Sequence, residues 1–184
     1  MRLPLTDNFH LRLLEEGDAK ELYALVERNR SHLAVWMPWA ADQTLEGTAA
    51  FLRTAKQRHA ANNGFESALV LDGRIVGAAG FPSVDWAAGG TSIGYWLDEG
   101  HQGRGLMTRA VSALIGHAFG EWDLHRVEIQ AAVENRRSRA IPKRLGFEQE
   151  GIRREAERVG ERWLDLVVYS LPNDRSRRGR ATAS

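Results

Sequence analysis

The stretch Thr91-Ser-Ile-Gly-Tyr-Trp-Leu-Asp-Glu-Gly-His-Gln-Gly-Arg-Gly-Leu-Met-Thr108 joins a β-type run, a glycine-rich turn and the start of a helix. The run Thr91–Leu97 stops at Asp98. Beyond Gly105, residues Leu106, Met107, Ala110, Val111, Leu114, Ile115, Ala118 and Phe119 make one continuous apolar face at helical spacing. A glycine-rich turn that feeds a helix N-terminus aims unpaired backbone N–H groups and the positive end of the helix dipole at one point, the requirement for a pyrophosphate site. Gly103 and Gly105 let the backbone approach an anion without a Cβ in the way, and Arg104 adds charge. The alternative for any Gly-x-Gly before a helix is a tight connection and nothing more. Two better-known phosphate motifs fail: a dinucleotide fingerprint needs a third glycine where Thr108 stands, and a P-loop needs Gly-Lys-Ser/Thr.

Toward the N-terminus, Arg74–Phe81 and Ser67–Leu71 flank Asp72-Gly73 and read as an antiparallel hairpin. Thr44–Ala61 has helical periodicity, the Trp36-Met-Pro-Trp39 segment must bend, and Leu22, Leu25 and Val26 mark another helix, with Asp18 and Glu21 spaced as a capping box. Phe9–Leu14 alternates as a strand. On the C-terminal side, Arg126–Val133 reads as a strand, Arg136–Leu145 as a short helix, and Phe147 onward as two strands joined near Val159-Gly160. The order β-α-α-β-β-β-α-β-α-β-β predicts an α/β fold with a mixed sheet and helices on both faces. A uniformly parallel, doubly wound sheet fits it poorly.

With 184 residues the chain has the size of one domain, expected over residues 1–171. The net charge of +1 divides unevenly: Pro172–Ser184 holds four arginines against Asp174, +3, which leaves −2 for the rest. Residues 172–184 are expected to form a basic, disordered tail. A slightly acidic body is not the footprint of a nucleic-acid-binding domain. No apolar run is long enough to span a membrane, and Met1–Asn8 has no signal-peptide character, so the expected location is cytoplasmic. The absence of cysteine removes a disulfide framework, a thiolate metal site and a thiol nucleophile, and the six histidines show no metal-ligand spacing.

The segment Ile93–Thr108 resembles the signature of the GNAT superfamily of acyl-coenzyme-A-dependent N-acetyltransferases, Gln/Arg-x-x-Gly-x-Gly/Ala, with Gln102, Gly105 and Met107 at the marked positions. Met107 departs from the small residue usual at the last one. The resemblance is to the RimJ/RimL-type branch, which acetylates ribosomal-protein N-termini. It continues through Asn135-x-x-Ser138, Gly146-Phe147 and Trp36-Met-Pro-Trp39 and covers nearly all of the chain except the tail. The resemblance implies a mostly antiparallel central sheet in which the strand before the loop splays from its neighbour. It implies acetyl-CoA as co-substrate, no metal, and a possible homodimer. Backbone around Tyr95, Trp96 and Leu97 would then meet pantetheine, the amides of Gln102, Gly103, Arg104, Gly105, Leu106, Met107 and Thr108 the pyrophosphate, and Asn135 the pantetheine or thioester.

Without a cysteine, the simplest scheme is direct attack of the acceptor amine on the thioester. An α-amino group, pKa about 7.7–8.0, needs little help near neutrality, whereas a lysine at about 10.4 costs roughly 3.4 kcal/mol more to deprotonate. By resemblance Glu99 is the candidate base, with Asp98 as its nearest rival and a solvated loop carboxylate as the plain alternative. The strand start offers no second carboxylate, because Ser92 stands there. Many superfamily members place an acidic tyrosine seven residues after the asparagine; here that residue is Pro142, and Ser138 is the candidate acid. Ser138 or Asn135 could equally cap the short helix. Trp36 and Trp39 would line the acceptor pocket or serve as core anchors. The expected acceptor is a protein N-terminus of the ribosomal-protein class, with a small-molecule amine, or a coenzyme-A-binding module without turnover, as alternatives.

Overall fold

The run Thr91–Leu97, read above as one strand, is two strands that belong to different sheets. The computed structural model describes residues 1–173, so the remaining tail positions 174–184 lie outside the described residues. Ten strands occur among the described residues, β1 (Arg2–Pro4), β2 (Phe9–Leu13), β3 (Phe65–Leu71), β4 (Arg74–Phe81), β5 (Val84–Asp85), β6 (Gly90–Ser92), β7 (Gly94–Leu97), β8 (Arg126–Ala132), β9 (Glu148–Val159) and β10 (Arg162–Pro172). The helices are α1 (Ala19–Leu33), α2 (Leu45–Ala60), α3 (Leu106–Gly120) and α4 (Arg136–Arg144).

One sheet has the order β1-β2-β3-β4-β7 and is antiparallel throughout; the other has the order β5-β6-β8-β10-β9. β6 lies parallel to β8 from Gly90↔Arg126 to Ser92↔Glu128, and the buried Ile93 adds a last N–H bond to the Glu128 carbonyl. From Gly94 the chain leaves β8 and pairs only with β4. β7 and β8 therefore diverge, and each keeps a backbone edge that no strand satisfies. The mixed α/β fold with a splayed strand pair is thus present, built as two sheets where one was expected.

The β3–β4 hairpin turns at Asp72 (φ +50) and Gly73 (φ +76), the paired positive φ values that a two-residue hairpin turn requires. Alternation along β3 sends Ala68 and Val70 toward α1 and α2, where Leu22, Leu25 and Leu52 cover them, and Phe65 and Leu69 toward α3. On α3, Met107, Ala110, Val111, Leu114 and Ala118 are buried, with Leu106, Ile115 and Phe119 packed beside them. Helices thus cover both faces of the antiparallel sheet, and their burial of apolar side chains is its main source of stability.

One local expectation is corrected, and two details are added. Arg2–Pro4 is an edge strand whose brevity and proline hide it from pattern reading. The capping box lies one turn earlier than Asp18/Glu21, between Glu15 and Asp18; Asp18 also binds Arg12 at 2.7 Å, and the Glu21 carboxylate instead accepts the Ile75 N–H at 2.8 Å. At the C-terminal end of the described residues β10 runs to Pro172, and Asn173 is buried and donates to the Leu124 carbonyl at 3.0 Å.

β4 and β7 approach closely because residue 77 is glycine: a Cβ there would lie 2.4 Å from the Trp96 carbonyl oxygen and 3.0 Å from the Leu97 Cα. Both neighbours are backbone, so the strands would have to part. Gly77→Ala is expected to cost about 1–3 kcal/mol, and an unchanged urea midpoint would contradict this account of the β4–β7 contact.

Candidate active site

Where β7 and β8 part, a cleft of about 550 Å³ opens, walled by Tyr95 and Trp96 from β7, Ala131 and Ala132 from β8, and Asn135 and Ser138 from the start of α4. Its far side is closed by Trp36, Trp39 and Phe51. The unpaired edges of β7 and β8 offer backbone donors and acceptors to an extended, amide-bearing ligand, as a further strand would use them.

The loop that follows β7 is built for an anion. Gly103 and Gly105 both have φ +75, in the left-handed region, and a Cβ on either would meet no protein atom. Gly105 is the N-cap of α3 and supplies no side-chain cap, and the first turn carries no acidic residue. Among the described residues, the backbone N–H groups of Gly103 through Thr108 find no acceptor within the protein. Six N–H groups left open around a left-handed turn, at the positive end of a 15-residue helix, fit a pyrophosphate. Two arginines of α4 reach the same loop: Arg137 donates to the Gln102 Oε1 at 2.8 Å, and Arg144 to the Thr108 hydroxyl at 2.6 Å.

Comparison with known proteins agrees with this geometry. The family profile described as "Acetyltransferase (GNAT) domain" matches residues 8–148. The chain belongs to the GNAT acetyltransferases. It is 36% identical over 169 residues to YdaF of Bacillus subtilis (strain 168), covering 91% of this chain and 92% of that one. To the ribosomal-protein-serine acetyltransferase of Escherichia coli (strain K12) it is 27% identical, over 91% of this chain and 94% of that one. A solved structure of RimL, the ribosomal L7/L12 alpha-N-protein acetyltransferase in complex with coenzyme A, superposes with a TM-score of 0.90 at 26% identity, over 95% of this chain and 99% of that one. The protein is accordingly an N-acetyltransferase that uses acetyl-CoA to acetylate an amine. The open loop amides and the free strand edges suit that co-substrate's pyrophosphate and pantetheine. No group of three or more potential metal ligands occurs among the described residues.

Of the residues expected in this GNAT site, Tyr95, Trp96, Asn135, Ser138, Trp36 and Trp39 all line the cleft. Trp39 packs against Trp96 with ring centroids 6.1 Å apart. Asn135 is the α4 cap, its Oδ1 accepting the Ser138 N–H at 3.1 Å, which leaves the Ser138 hydroxyl free of capping. That hydroxyl donates to the Tyr95 phenol at 3.3 Å, and the phenol donates to the Ser138 carbonyl at 3.1 Å. Pro142 explains the second bond. It lies inside α4, not in its first turn, and lacks the N–H that a helix would send back to the carbonyl of residue 138. The Tyr95 phenol takes that acceptor. Sequence reasoning used Tyr95 only for its backbone; the phenol that is missing from α4 arrives from β7. Burial pushes its pKa up to about 12, so it stays a proton donor at neutral pH.

The acidic residues divide differently. Glu99 begins a 3-10 turn and its side chain is 65% exposed, 3.9 Å from His32 Nδ1, outside the cleft wall. Gln102, whose carbonyl is held by Arg137, donates its amide N–H to His32 Nε2 at 2.8 Å, which places the His32 proton on Nδ1, toward Glu99. Burial would raise the Asp98 carboxyl, but hydrogen bonds from Asn29 and His101 outweigh it and hold it below the usual range. The buried Asn29 of α1 fixes this whole turn: its Nδ2 donates to Asp98 at 2.6 Å and its Oδ1 accepts the Glu99 N–H at 2.9 Å. Sequence reasoning missed Asn29, although a polar residue one turn after Leu25 on an apolar helix face is a readable signal. It also missed two carboxylates on the cleft itself, Glu66 and Glu157. Glu66 is half-buried, its side chain 14% exposed, and bound to Arg58 at 3.1 Å; desolvation dominates and pushes its pKa up to about 7.

Tyr95→Phe leaves the Ser138 carbonyl without its partner. The expected loss of stability is about 1 kcal/mol, the cost of a half-buried acceptor left without its donor, measured by urea denaturation. A neutral result would show that the carbonyl finds another donor.

Proposed function

We propose that this acetyltransferase modifies the α-amino group of a protein N-terminus of the ribosomal-protein class. The observation that carries the reading is the placement of Glu99. It is the carboxylate next to the loop, and it lies in solvent, so its access to the acceptor runs through water. Such a relay suffices for an α-amine and falls short for a lysine, whose deprotonation is the costlier by the margin given above. The RimL structure, named as acting on the α-amino group of L7/L12, supports the same acceptor. A body charge of −2 over residues 1–171 tolerates a basic peptide. A cytoplasmic location, a homodimer and the absence of nucleic-acid contact belong to the same proposal.

In this scheme the loop amides of Gln102–Thr108 hold the pyrophosphate, and β7 from Tyr95 to Leu97 with Asn135 orients the pantetheine arm. Acetyl-CoA supplies the activated acyl group. Glu99 removes the ammonium proton through water, and the amine then attacks the thioester carbon directly. Ser138, held at the cleft by its bond to the neutral phenol of Tyr95, turns its proton to the departing thiolate and regains one from solvent, to which Glu99 releases the proton it took.

Thiol release from acetyl-CoA is expected with peptides that begin with a free serine or alanine. None is expected with the same peptides N-acetylated and carrying an internal lysine; the opposite order, or turnover of small amines alone, would overturn the acceptor assignment. Glu99→Gln and Ser138→Ala should each lower kcat on the order of 10² without weakening acetyl-CoA binding. Gly105→Asp forces a side chain into a left-handed position and sets a negative charge against the pyrophosphate. Calorimetry should record acetyl-CoA affinity at least about tenfold weaker for it, and wild-type affinity would remove the loop from the site.

A further inference from the structure

Glu66 belongs to a row that crosses three strands. It pairs with Gly80 of β4, and Gly80 pairs with Gly94 of β7 in the cleft wall. Residues directly opposite on antiparallel strands share a face, so two glycines lie between the Glu66 side chain and the cleft. Arg58 of α2 takes one carboxylate oxygen, donating to Oε1 at 3.1 Å. The other, Oε2, lies 2.7 Å from where a Gly80 Cβ would stand, and among the described residues no group donates to it. Solvent still reaches it. Glu66 also closes a second cavity of about 420 Å³ with Leu13, Leu14, Ala55, Lys56 and His59. Leu13 and Leu14 lie on the β2 side of β3 and Gly80 on the β4 side, so Oε2 faces the cleft.

Gly94 is where the acyl group arrives. The pyrophosphate loop follows Leu97, so a pantetheine arm laid along β7 runs from Leu97 back to Tyr95 and carries its thioester toward Gly94. Neighbouring strands lie about 4.8 Å apart, which sets Oε2, beside Gly80, about one strand spacing from that point. An amine attacking there spans the gap with a hydroxyl on its second carbon and a hydrogen bond of about 2.7 Å. The Arg58 guanidinium already offsets the Glu66 charge, so a neutral donor completes the carboxylate, whereas a second cation would be set beside Arg58.

We propose that Glu66 is a specificity-determining residue: its Oε2 accepts a hydrogen bond from an acceptor hydroxyl, so that the enzyme prefers 1,2-amino alcohols, a serine N-terminus among them, to amines without the hydroxyl. This rests on the α-amine reading above, and the same recognition applies to a small amino alcohol. A site built to pair a substrate hydroxyl discriminates against the analogue that lacks it.

Thiol-release kinetics at saturating acetyl-CoA and about pH 8, where Glu66 with its pKa of about 7 is ionised, compare peptides that differ only in a first residue of serine, O-methylserine or alanine. Wild type should favour serine over alanine about 10- to 100-fold in kcat/KM, the strength of a hydrogen bond to a charged group, with O-methylserine no better than alanine. Parity of serine with either overturns the proposal. Glu66→Met should bring the serine-to-alanine ratio within about threefold of one. So should Glu66→Met combined with Arg58→Met, which leaves no unpaired guanidinium behind. A merely structural role would lower both rates and leave the ratio where it was. A serine preference that survives in a variant with wild-type acetyl-CoA affinity by calorimetry therefore overturns the assignment; if neither variant folds, the wild-type comparison decides. If small amines are acetylated and peptides are not, the N-terminus reading fails, and ethanolamine against propylamine repeats the comparison for Glu66. If nothing is turned over, calorimetric titration of the serine and alanine peptides into the coenzyme-A-loaded protein makes it, and equal or absent binding overturns the proposal.

Discussion

A strand inside a sheet has two edges to satisfy, and the stretch Gly90–Leu97 satisfies them in two different sheets. Up to Ile93 it is held by β8; from Gly94 it is held by β4 alone. Everything that concerns the donor depends on this transfer. It leaves hydrogen-bonding edges that protein does not fill, and it directs the chain into the Asp98–Gly105 turn at the point where α3 begins. The opening is held from outside: Gly77 allows β4 to draw β7 close, Asn29 of α1 pins the turn that follows, and α3 packs beneath. Buried backbone groups are rarely left unpaired, so a fold that maintains such edges is prepared for a ligand that pairs with them.

A second constraint acts on the chemistry. A proline inside a short helix removes a donor, and the carbonyl it abandons becomes an anchor for a phenol from another element. The Ser138 hydroxyl, relieved of capping duty by Asn135, is then held by that phenol at the cleft. Asn135, Ser138, Pro142 and Tyr95 thus act as one unit, in which the cap, the hydroxyl and the missing N–H each determine what the next residue can do.

Much of this was legible in the sequence where a residue type dictates local backbone. The α3 face follows from apolar spacing, the β3–β4 turn from Asp72-Gly73, and the anion loop from Gly103 and Gly105, whose left-handed φ values only glycine adopts freely. The sheet change at Ile93 was not legible, because the residues on either side of it have the same β-type character and the choice between partners is made by packing. The link from Tyr95 to Pro142, the grip of Asn29 on Asp98 and Glu99, and the turn of Glu66 toward Gly80 all join residues distant in the chain. Periodicity carries no information about such contacts.

The division of labour between core and periphery has a consequence for how this protein can change. The elements whose open groups suit the donor, β7, the α3 loop and α4, have residues tied into the sheets and to one another. The wall opposite is carried by the Trp36–Trp39 segment and by the tip of a hairpin whose outer residues, Ile152 and Trp163, stand exposed, with a hydrogen bond from Arg162 to Val35 joining the two pieces. Substitutions in those pieces alter what enters the cleft at little cost to the donor side. Descendants of such a chain could drift from one acceptor to another while retaining the same acyl donor.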